Sequence, residues 1–443
     1  MRDKGEEDMK TLFILFAARR YWTEDADLQR AFEEIKENWQ GEQNRFLLSV
    51  DGSGLADVTL AADEIPVLIP LSGAIQPYVL QAARQFASHS PLGILLYAAY
   101  VQGNVSAWAE EQMLLRNAAP TIMDTWSVLR QEIDAMELVL SREDLARRLE
   151  ILGAYLKIRR SKLLLIGETE PWVVSASRVM GEYEALGPEI VRAPQSEVRE
   201  LYERVTVEEA DSFCQKYKNN AECIVEPTDE DIRNAGRMVC ALLKMLEKYE
   251  ADGMAIACFN LLSTGTTACL GVSYINDCTD KVAACEGDLD SALSMLIMKC
   301  FTKTKVWMAN PGLHPGGVVN FSHCTAPICV DGVEERPFVV RSHHESGIGA
   351  SLQVDMPLDR KVTAFRISAA NGKATVQTGI SVPGDHESCC HTQMYVRFED
   401  FDGYLQTALG CHQVFCYEDI ADRLVDLSRM LGLEVWQPES KKG

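Results

Sequence analysis

Short apolar runs alternate with helix-length stretches through the first two thirds of this chain, and this alternation most constrains its fold. Four such runs lie within the first hundred residues, at 12–16, 46–50, 66–70 and 93–97. Helical spacing of apolar residues fills the stretch 77–86 between two of them. Strands that are apolar on both faces are typical of a parallel sheet covered by helices. The pattern therefore predicts an α/β domain over residues 1–155.

The same signal restarts after a charged helical stretch at residues 141–160 and predicts a second α/β domain over residues 156–314. Thr228 suits the N-cap of a long helix, because three acidic residues follow it in the first turn. The predicted elements of this domain are a strand at 162–167, a helix at 228–250, a strand at 254–259, a helix at 288–300 and a strand at 305–309.

A different pattern begins near residue 315. Short alternating runs lie at residues 336–342, 362–367, 374–379 and 393–398, separated by Gly, Pro, Asn and Asp. The dipeptide Asn371-Gly372 between two of these runs is a strong hairpin signal. We therefore predict an antiparallel, β-barrel-like domain over residues 315–443, with a helix at 418–431. The predicted fold class is α/β, with two doubly wound parallel-sheet (Rossmann-like) domains followed by this barrel.

Charge and cysteine content narrow the class of protein. The chain has 65 Asp and Glu against 43 Lys and Arg, a net charge of −22. This balance argues against nucleic acid and anionic membranes as partners, because both are bound through basic patches. All 14 cysteines lie at position 214 or later and no two have CxxC spacing, so a zinc ribbon is not expected. A charged start without an apolar signal segment, and no 18-residue apolar stretch, indicate a cytoplasmic protein.

Residues that could take part in catalysis or metal binding are concentrated in the C-terminal half. The motifs GxGxxG, GxxxxGK[ST] and GxSxG are absent, so neither a nucleotide cofactor nor the usual serine-hydrolase site is indicated. Seven of the eight histidines lie at position 314 or later. The segment HESCCH at residues 386–391 is a near miss for the zinc motif HExxH. Its histidines are five residues apart and would not share a helical face, so a polar loop is the simpler interpretation.

Four side chains from separate predicted elements would make one open metal site. Glu286 lies at a loop-to-helix junction, and Asn310 ends the next strand at the carboxyl edge of the predicted parallel sheet, where ligand sites collect. His323 and His412 lie in the β-rich region. Such a set suits Mn²⁺, Mg²⁺ or Co²⁺. The acidic residues around position 286 also have a plainer interpretation, since they complement the positive N-terminal end of a helix.

Residues 284–296 (ACEGDLDSALSML) resemble the active-site segment of the L-fucose isomerase-like proteins, in which a Glu binds the metal and takes part in proton transfer. Residues 319–327 (VNFSHCTAP) resemble the following strand, whose His is a ligand in the L-arabinose isomerases. Residues 410–412 match the final Gly-x-His of the superfamily, which supplies the last ligand. Segments 341–349 and 392–393 are similar to later parts of the same proteins. The resemblance extends over residues 253–436 and is weak over the first 160 residues.

This resemblance implies a metal-dependent aldose–ketose isomerase with two α/β domains and a β-barrel-like domain. Glu286, Asn310, His323 and His412 would bind Mn²⁺, or else Mg²⁺ or Co²⁺. Glu286 would move a proton between C2 and C1 of a sugar through a cis-enediolate, and Asp288 or a bound water would carry the second proton transfer.

The resemblance further implies a homo-oligomer, a trimer or hexamer with shared active sites. The substrate contacts that it implies are Arg19, Arg20 and Gln76 from a neighbouring subunit, together with His343 and His391.

Three positions depart from the family pattern. Asn310 stands where relatives usually carry a metal-binding Asp, and an amide cannot act as a general base. His344 and His391 stand where relatives more often have Phe and Arg. These departures indicate an unusual sugar and leave two alternatives open, which are an epimerase on the same scaffold and a non-catalytic sugar-binding or regulatory protein.

Overall fold

The computed structural model describes residues 10–437, which form two compact units that divide after Leu156. The second unit contains both regions that the sequence analysis separated at residue 314. Within residues 10–437, no helix combines the length and the apolar content needed to cross a lipid bilayer.

The first unit is built on a five-stranded parallel sheet. Its elements are β1 (Lys10–Ala17), α1 (Asp25–Asn38), β2 (Asn44–Val50), β3 (Glu64–Pro70), α2 (Gln76–Ala87), β4 (Ile94–Tyr97), α3 (Ala107–Leu115), α4 (Ala118–Glu132), β5 (Met136–Val139) and α5 (Arg142–Arg160), which runs across the division. The strand order is β2-β1-β3-β4-β5, and all neighbours are parallel. The four apolar runs are confirmed as β1 to β4, and β1 is buried on both faces, as its continuous apolar sequence predicts.

A four-stranded parallel sheet opens the second unit. The elements of this part are β6 (Lys162–Ile166), α6 (Met180–Leu186), β7 (Glu189–Ala193), α7 (Gln195–Arg204), α8 (Val207–Asn220), β8 (Cys223–Ile224), α9 (Asp229–Lys248), β9 (Gly253–Ile256), α10 (Cys269–Cys278), β10 (Val282–Ala284) and α11 (Leu289–Lys299). The strand order is β10-β9-β6-β7, again with parallel neighbours. Leu164 at the middle of β6 lies opposite Val191 on one side and Met254 on the other.

Local sequence signals account for where helix α9 begins and ends. Thr228 Oγ1 accepts a hydrogen bond from the Asp231 backbone N–H at 3.2 Å, and Asp231 Oδ2 accepts one from the Thr228 backbone N–H at 2.8 Å. This reciprocal capping box begins the helix where the sequence predicted it. The helix ends at Lys248, just before Glu250 takes a left-handed backbone conformation.

Six antiparallel strands close into a barrel in the C-terminal part of the second unit. The elements of this part are β11 (Trp307–Leu313), β12 (Val318–His323), β13 (Phe338–Arg341), β14 (Ser351–Val354), β15 (Lys361–Ser368), β16 (Lys373–Val382), β17 (Thr392–Phe398), α12 (Phe401–Gln406), β18 (Gln413–Cys416), α13 (Ala421–Met430) and β19 (Glu434–Trp436). The order is β15-β18-β11-β12-β17-β16, and β16 pairs back with β15. Strand β19 adds to β16, while β13, β14 and β8 form a separate small sheet. The predicted barrel is therefore confirmed, and Gly372, with a φ of +61°, turns the predicted hairpin.

One strand belongs to a different sheet from the one predicted. The last three residues of the run at 305–309 begin β11, which pairs antiparallel with β12 and β18 rather than with the parallel sheet. The placement of Asn310 at a parallel-sheet edge is therefore wrong, and a boundary at residue 314 separates two neighbouring barrel strands. A short apolar run fits any buried strand, and its partners here are distant in sequence.

Candidate metal centre

Three neighbouring strands of the second unit's parallel sheet end at one edge, and the loops that follow them carry the candidate site. Glu286 follows β10, Phe259 follows β9, and Glu170 and Trp172 follow β6. Ligand sites of α/β sheets collect at this carboxyl edge, because the loops after parallel strands meet there.

Barrel strands bring two histidines to the same place. His323 is the last residue of β12, and His412 directly precedes β18. Glu286 Oε1 lies 3.3 Å from His412 Nε2 and 3.9 Å from His323 Nε2. The three candidate ligand atoms all lie within 4.8 Å of one another. Ligand atoms at about 2.0–2.2 Å from one cation lie roughly 3–4 Å apart, and the two separations from Glu286 Oε1, 3.3 and 3.9 Å, are in that range, so this Glu-His-His cluster could hold a divalent ion. The predicted convergence of these three residues is confirmed.

Each histidine is oriented by a partner on its other ring nitrogen. His412 Nδ1 lies 2.8 Å from Asp288 Oδ2, and His323 Nδ1 lies 2.9 Å from Thr325 Oγ1. Both rings therefore present Nε2 towards Glu286. Metal-binding histidines are commonly held in this way, since the second hydrogen bond fixes the ring and its tautomer. The arrangement fits a resident cation.

A completely buried ionic network lies behind His412. Asp288 caps α11 by accepting hydrogen bonds from the Ser291 backbone N–H at 3.0 Å and the Ser291 hydroxyl at 2.8 Å. Arg366, on β15, donates to Asp288 Oδ2 at 3.1 Å and to the His412 carbonyl at 3.0 Å. Its guanidinium also lies 3.7 Å from Asp290 Oδ2. The network ties the start of α11 to the barrel and to one candidate ligand.

Asp288, the predicted proton shuttle, is completely buried. Its side chain has no exposed surface, and its oxygens are taken by Ser291, Arg366 and His412. The structure therefore gives this role no support, and the role stays a prediction. An acidic residue in the first turn of a helix has the same sequence signature whether it faces a cavity or the core.

Proton affinities in the cluster follow from burial and neighbouring charge. Burial raises the pKa of Glu286, but the hydrogen bond and charge of His412 and the charge of His323 outweigh it, so the pKa is lowered overall. Burial and the nearby His412 lower the pKa of His323 to about 4. Burial also lowers the pKa of His412, but hydrogen bonds to Asp288, Cys411 and Glu286 raise it well above its ordinary value. At neutral pH, Glu286 is anionic, His323 is neutral and His412 holds a proton.

Cation binding is expected to release a proton from His412. Metal ligation needs the neutral imidazole, whereas the raised pKa of His412 keeps it protonated near pH 7. Mn²⁺ affinity should therefore rise with pH by about tenfold per unit below that pKa, with about one proton released per ion. Isothermal titration calorimetry in buffers of different ionisation enthalpy measures this number. His323 releases no proton on metal binding above its pKa of about 4, because it is already neutral. Binding at pH 7 without proton release would contradict the charge state assigned to His412.

The backbone at Glu286 is strained and tightly held. Its φ is +59°, a left-handed value that costs a residue with a Cβ about 1–2 kcal/mol. The Glu170 backbone N–H donates to the Glu286 carbonyl at 2.9 Å, and Thr169 Oγ1 donates to the Gly287 carbonyl at 2.9 Å. The Gly287 N–H donates to the Ile256 carbonyl at 2.9 Å. Strain of this kind clusters at functional sites, where surrounding contacts over-determine it.

Replacement of Gly287 by alanine is expected to destabilise the protein by about 2–4 kcal/mol and to weaken Mn²⁺ binding. Gly287 has a φ of +63°, and an added Cβ would lie 2.8 Å from Thr169 Cα. Gly372→Ala is the matched control, because Gly372 has a φ of +61° but nothing within 4 Å of its Cβ position. Urea unfolding should show a clearly smaller loss for the control. Equal losses for the two variants would show that close packing at Gly287 contributes nothing.

Asn310 lies on a neighbouring strand of the same barrel. It is opposite Ser322, one residue from the strand position of His323. Two residues earlier, Met308 Sδ accepts a hydrogen bond from the Cys285 backbone N–H at 3.2 Å, so β11 passes beside the loop after β10. The role of Asn310 as a fourth ligand or catalytic group stays a prediction.

Three predicted substrate contacts lie in the first unit. Arg19 and Arg20 follow β1, and Gln76 begins α2 after the neighbouring strand β3. Arg19 forms an ion pair with Asp25, and the Arg20 guanidinium lies 4.9 Å from the ring centroid of Tyr21. All three belong to the carboxyl edge of the first sheet, and their contact with substrate stays a prediction.

The two predicted histidine contacts have different surroundings. The His343 ring meets Phe259 edge to face at 5.7 Å, and burial lowers its pKa while the charge of Glu286 acts in the opposite direction. His391 instead lines a cavity of about 400 Å³ with His386 and Tyr395, among other residues. Glu286, His323 and His412 are not among the described residues that line that cavity. The segment 386–391 is a loop, as predicted.

Sequence reasoning missed several residues of the site, namely Glu170, Trp172, Phe259, Thr325 and Arg366. Glu170 is buried, and Glu170 Oε1 accepts a hydrogen bond from the Phe259 backbone N–H at 3.3 Å. Burial raises the pKa of Glu170, the Phe259 hydrogen bond opposes this, and the charge of Glu286 adds to the rise. The carboxyl-edge rule applied to β6 would have drawn attention to residues 168–172. An Arg within the apolar strand run VTAFRIS was the available signal for Arg366.

No protein-family model matches this chain, and no curated protein is similar enough to it to count as a relative. The function of the site is therefore inferred from its side chains.

Proposed function

We propose that this chain is a divalent-metal-dependent isomerase that interconverts an aldose and a ketose. One observation carries the proposal: a carboxylate and two imidazoles from segments up to 126 residues apart meet within 4.8 Å, with both imidazoles held from behind. The resemblance of residues 284–296, 319–327 and 410–412 to the L-fucose isomerase-like proteins supports the same reaction.

Glu286, His323 and His412 would hold the cation, with Asn310 as a further oxygen donor. Mn²⁺ suits one carboxylate and two imidazoles, and Co²⁺ or Mg²⁺ are alternatives. When bound, such a cation supplies Lewis-acid stabilisation of the negative charge that develops on the oxygens of C1 and C2 during isomerisation.

Glu286 takes the proton from one carbon of the sugar and returns it to the neighbouring carbon. Its carboxylate is anionic at neutral pH because His412 and His323 lower its pKa, so it is ready to accept a proton. Its strained and clamped backbone fixes the direction of the carboxylate.

Glu170 is the residue that we assign to the second proton transfer, between the two oxygens. It is buried, its backbone N–H bonds to the Glu286 carbonyl, and burial raises the pKa of its carboxyl group. This carboxyl group would replace the Asp that the L-fucose isomerase-like proteins usually carry where this chain has Asn310, which cannot exchange a proton in this way.

The domain and subunit organisation of the L-fucose isomerase-like proteins is part of the proposal. The strand order β2-β1-β3-β4-β5 of the first sheet is that of doubly wound flavodoxin-like domains, and the second sheet follows the same scheme with one strand fewer. We propose a trimer or hexamer in which Arg19, Arg20 and Gln76 contact the substrate of a neighbouring subunit.

A panel of aldoses tests the function. Protein loaded with Mn²⁺ is incubated with pentoses, 6-deoxyhexoses, hexoses and sulfonated hexoses in D₂O, and the products are followed by NMR. Ketose that forms with Mn²⁺ and is abolished by a chelator supports the proposal. Deuterium uptake with only an epimer formed would instead indicate an epimerase. Metal and sugar binding without any turnover would indicate a non-catalytic sugar-binding protein.

A further inference from the structure

Trp172 contacts one of the two carboxylate oxygens of Glu286, and the two histidines face the other. The indole Nε1–H donates a hydrogen bond to Glu286 Oε2 at 2.7 Å. The other oxygen, Oε1, faces Nε2 of both His412 and His323. The indole hydrogen bond therefore engages Oε2, while Oε1 faces the two imidazoles.

Trp172 is held in place although it is half exposed. Its side chain is 50% exposed, whereas Phe259 meets it edge to face at 4.8 Å. The Val173 backbone N–H donates to the Glu170 carbonyl at 3.0 Å, and the Arg178 guanidinium donates to the same carbonyl at 3.0 Å. Hydrogen bonds within the loop after β6 therefore join residues on both sides of Trp172. The Glu170 backbone N–H also bonds this loop to the Glu286 carbonyl.

Trp172 is the first of three neighbouring aromatic rings. Phe259 lies between Trp172 and His343, with ring centroids 4.8 Å and 5.7 Å away. A sugar presents an apolar C–H face, and aromatic rings are large, rigid surfaces on which such a face packs. The indole is therefore hydrogen-bonded to Glu286, the proposed base, and its ring is of a kind on which a sugar can pack.

We propose that Trp172 is a positioning residue that keeps Glu286 Oε2 away from the cation, and that its ring is the platform for the C–H face of an uncharged sugar. The platform rests on the proposed isomerase function, whereas the positioning of Glu286 does not. Glu286 then ligates through Oε1 alone, and Oε2 keeps a fixed direction.

Two variants separate the two roles. Trp172→Phe keeps an aromatic ring but loses the N–H donor, so Mn²⁺ affinity should fall by about 5- to 10-fold and kcat by about 10- to 100-fold, with KM changed less than threefold. Trp172→Leu loses the ring as well, so KM for the best sugar of the panel should also rise by about tenfold or more. Trp126→Phe, in the first unit, is the control for a tryptophan change elsewhere.

The positioning role is tested without any sugar. Mn²⁺ is titrated into the wild type and the variants, and binding is followed by calorimetry and by tryptophan fluorescence. The wild type and Trp126→Phe should show a Mn²⁺-dependent fluorescence change that Trp172→Phe lacks. Wild-type Mn²⁺ affinity and an unchanged fluorescence response in Trp172→Phe would overturn the positioning role. If no sugar turns over but the Mn²⁺ results hold, the isomerase proposal fails and the positioning of Glu286 stands.

Discussion

Replacement of Glu286 by glutamine is expected to lower turnover by at least about 10³-fold while the protein stays folded. The amide keeps the size of the side chain and an oxygen for the cation, but it cannot accept a proton from carbon. Because the pKa of Glu286 is lowered overall by its histidine neighbours, the wild-type residue is a carboxylate at neutral pH and the change removes a real charge. The measurement is ketose formation at saturating Mn²⁺, with bound metal quantified in the same sample.

Glu168→Gln is the matched control for this variant. Glu168 lies in the loop after β6, at the same edge of the sheet, but its side chain is 77% exposed and pairs with Arg192 on the surface. Its loss should leave turnover and bound metal unchanged. Full turnover of Glu286→Gln with metal bound would remove Glu286 from the role of base. Loss of metal as well as turnover would confirm ligation, and the base role would then be decided at higher Mn²⁺ concentration.

Replacement of Arg366 by methionine is expected to destabilise the protein by about 3–5 kcal/mol. The change removes the buried guanidinium that faces both Asp288 and Asp290, and breaking a buried ion pair by removing one partner costs that much. Asp288 also holds His412 Nδ1, so Mn²⁺ affinity should fall in the fraction that remains folded. Urea unfolding and calorimetry measure the two effects. Arg366→Lys should recover part of the stability, because it keeps the charge and loses the fork geometry.

Arg84→Met is the control for removing an arginine from an ion pair. Arg84 bonds to both oxygens of Glu132 at 2.8 and 2.9 Å, but the pair lies on the surface of the first unit. Exposed pairs contribute little because water and salt screen them, so the unfolding midpoint should barely move. If Arg366→Met were as mild as this control, the ionic network would not be what fixes His412.

Elements with local signals could be predicted from the sequence alone. Strands β1 to β4 were predicted because each is a short apolar run, and α9 because Thr228 and the acids after it suit a helix start. The change of pattern near residue 315 predicted the barrel, and Asn371-Gly372 predicted its hairpin. Three candidate ligands were also found in advance, because few histidines are present and the segments around them resemble a known family.

The sheet that a strand joins and the direction of an acidic side chain depend on contacts between residues that are far apart in sequence. Strand β11 joined the barrel because its partners, β12 and β18, lie on either side of it in space, and β18 is about a hundred residues away in sequence. Asp288 turned inward because Arg366, 78 residues later, offers it a buried cation. Trp172 reached Glu286 across 114 residues. Pairing energies of this kind depend on distance in space, which local composition and spacing do not encode.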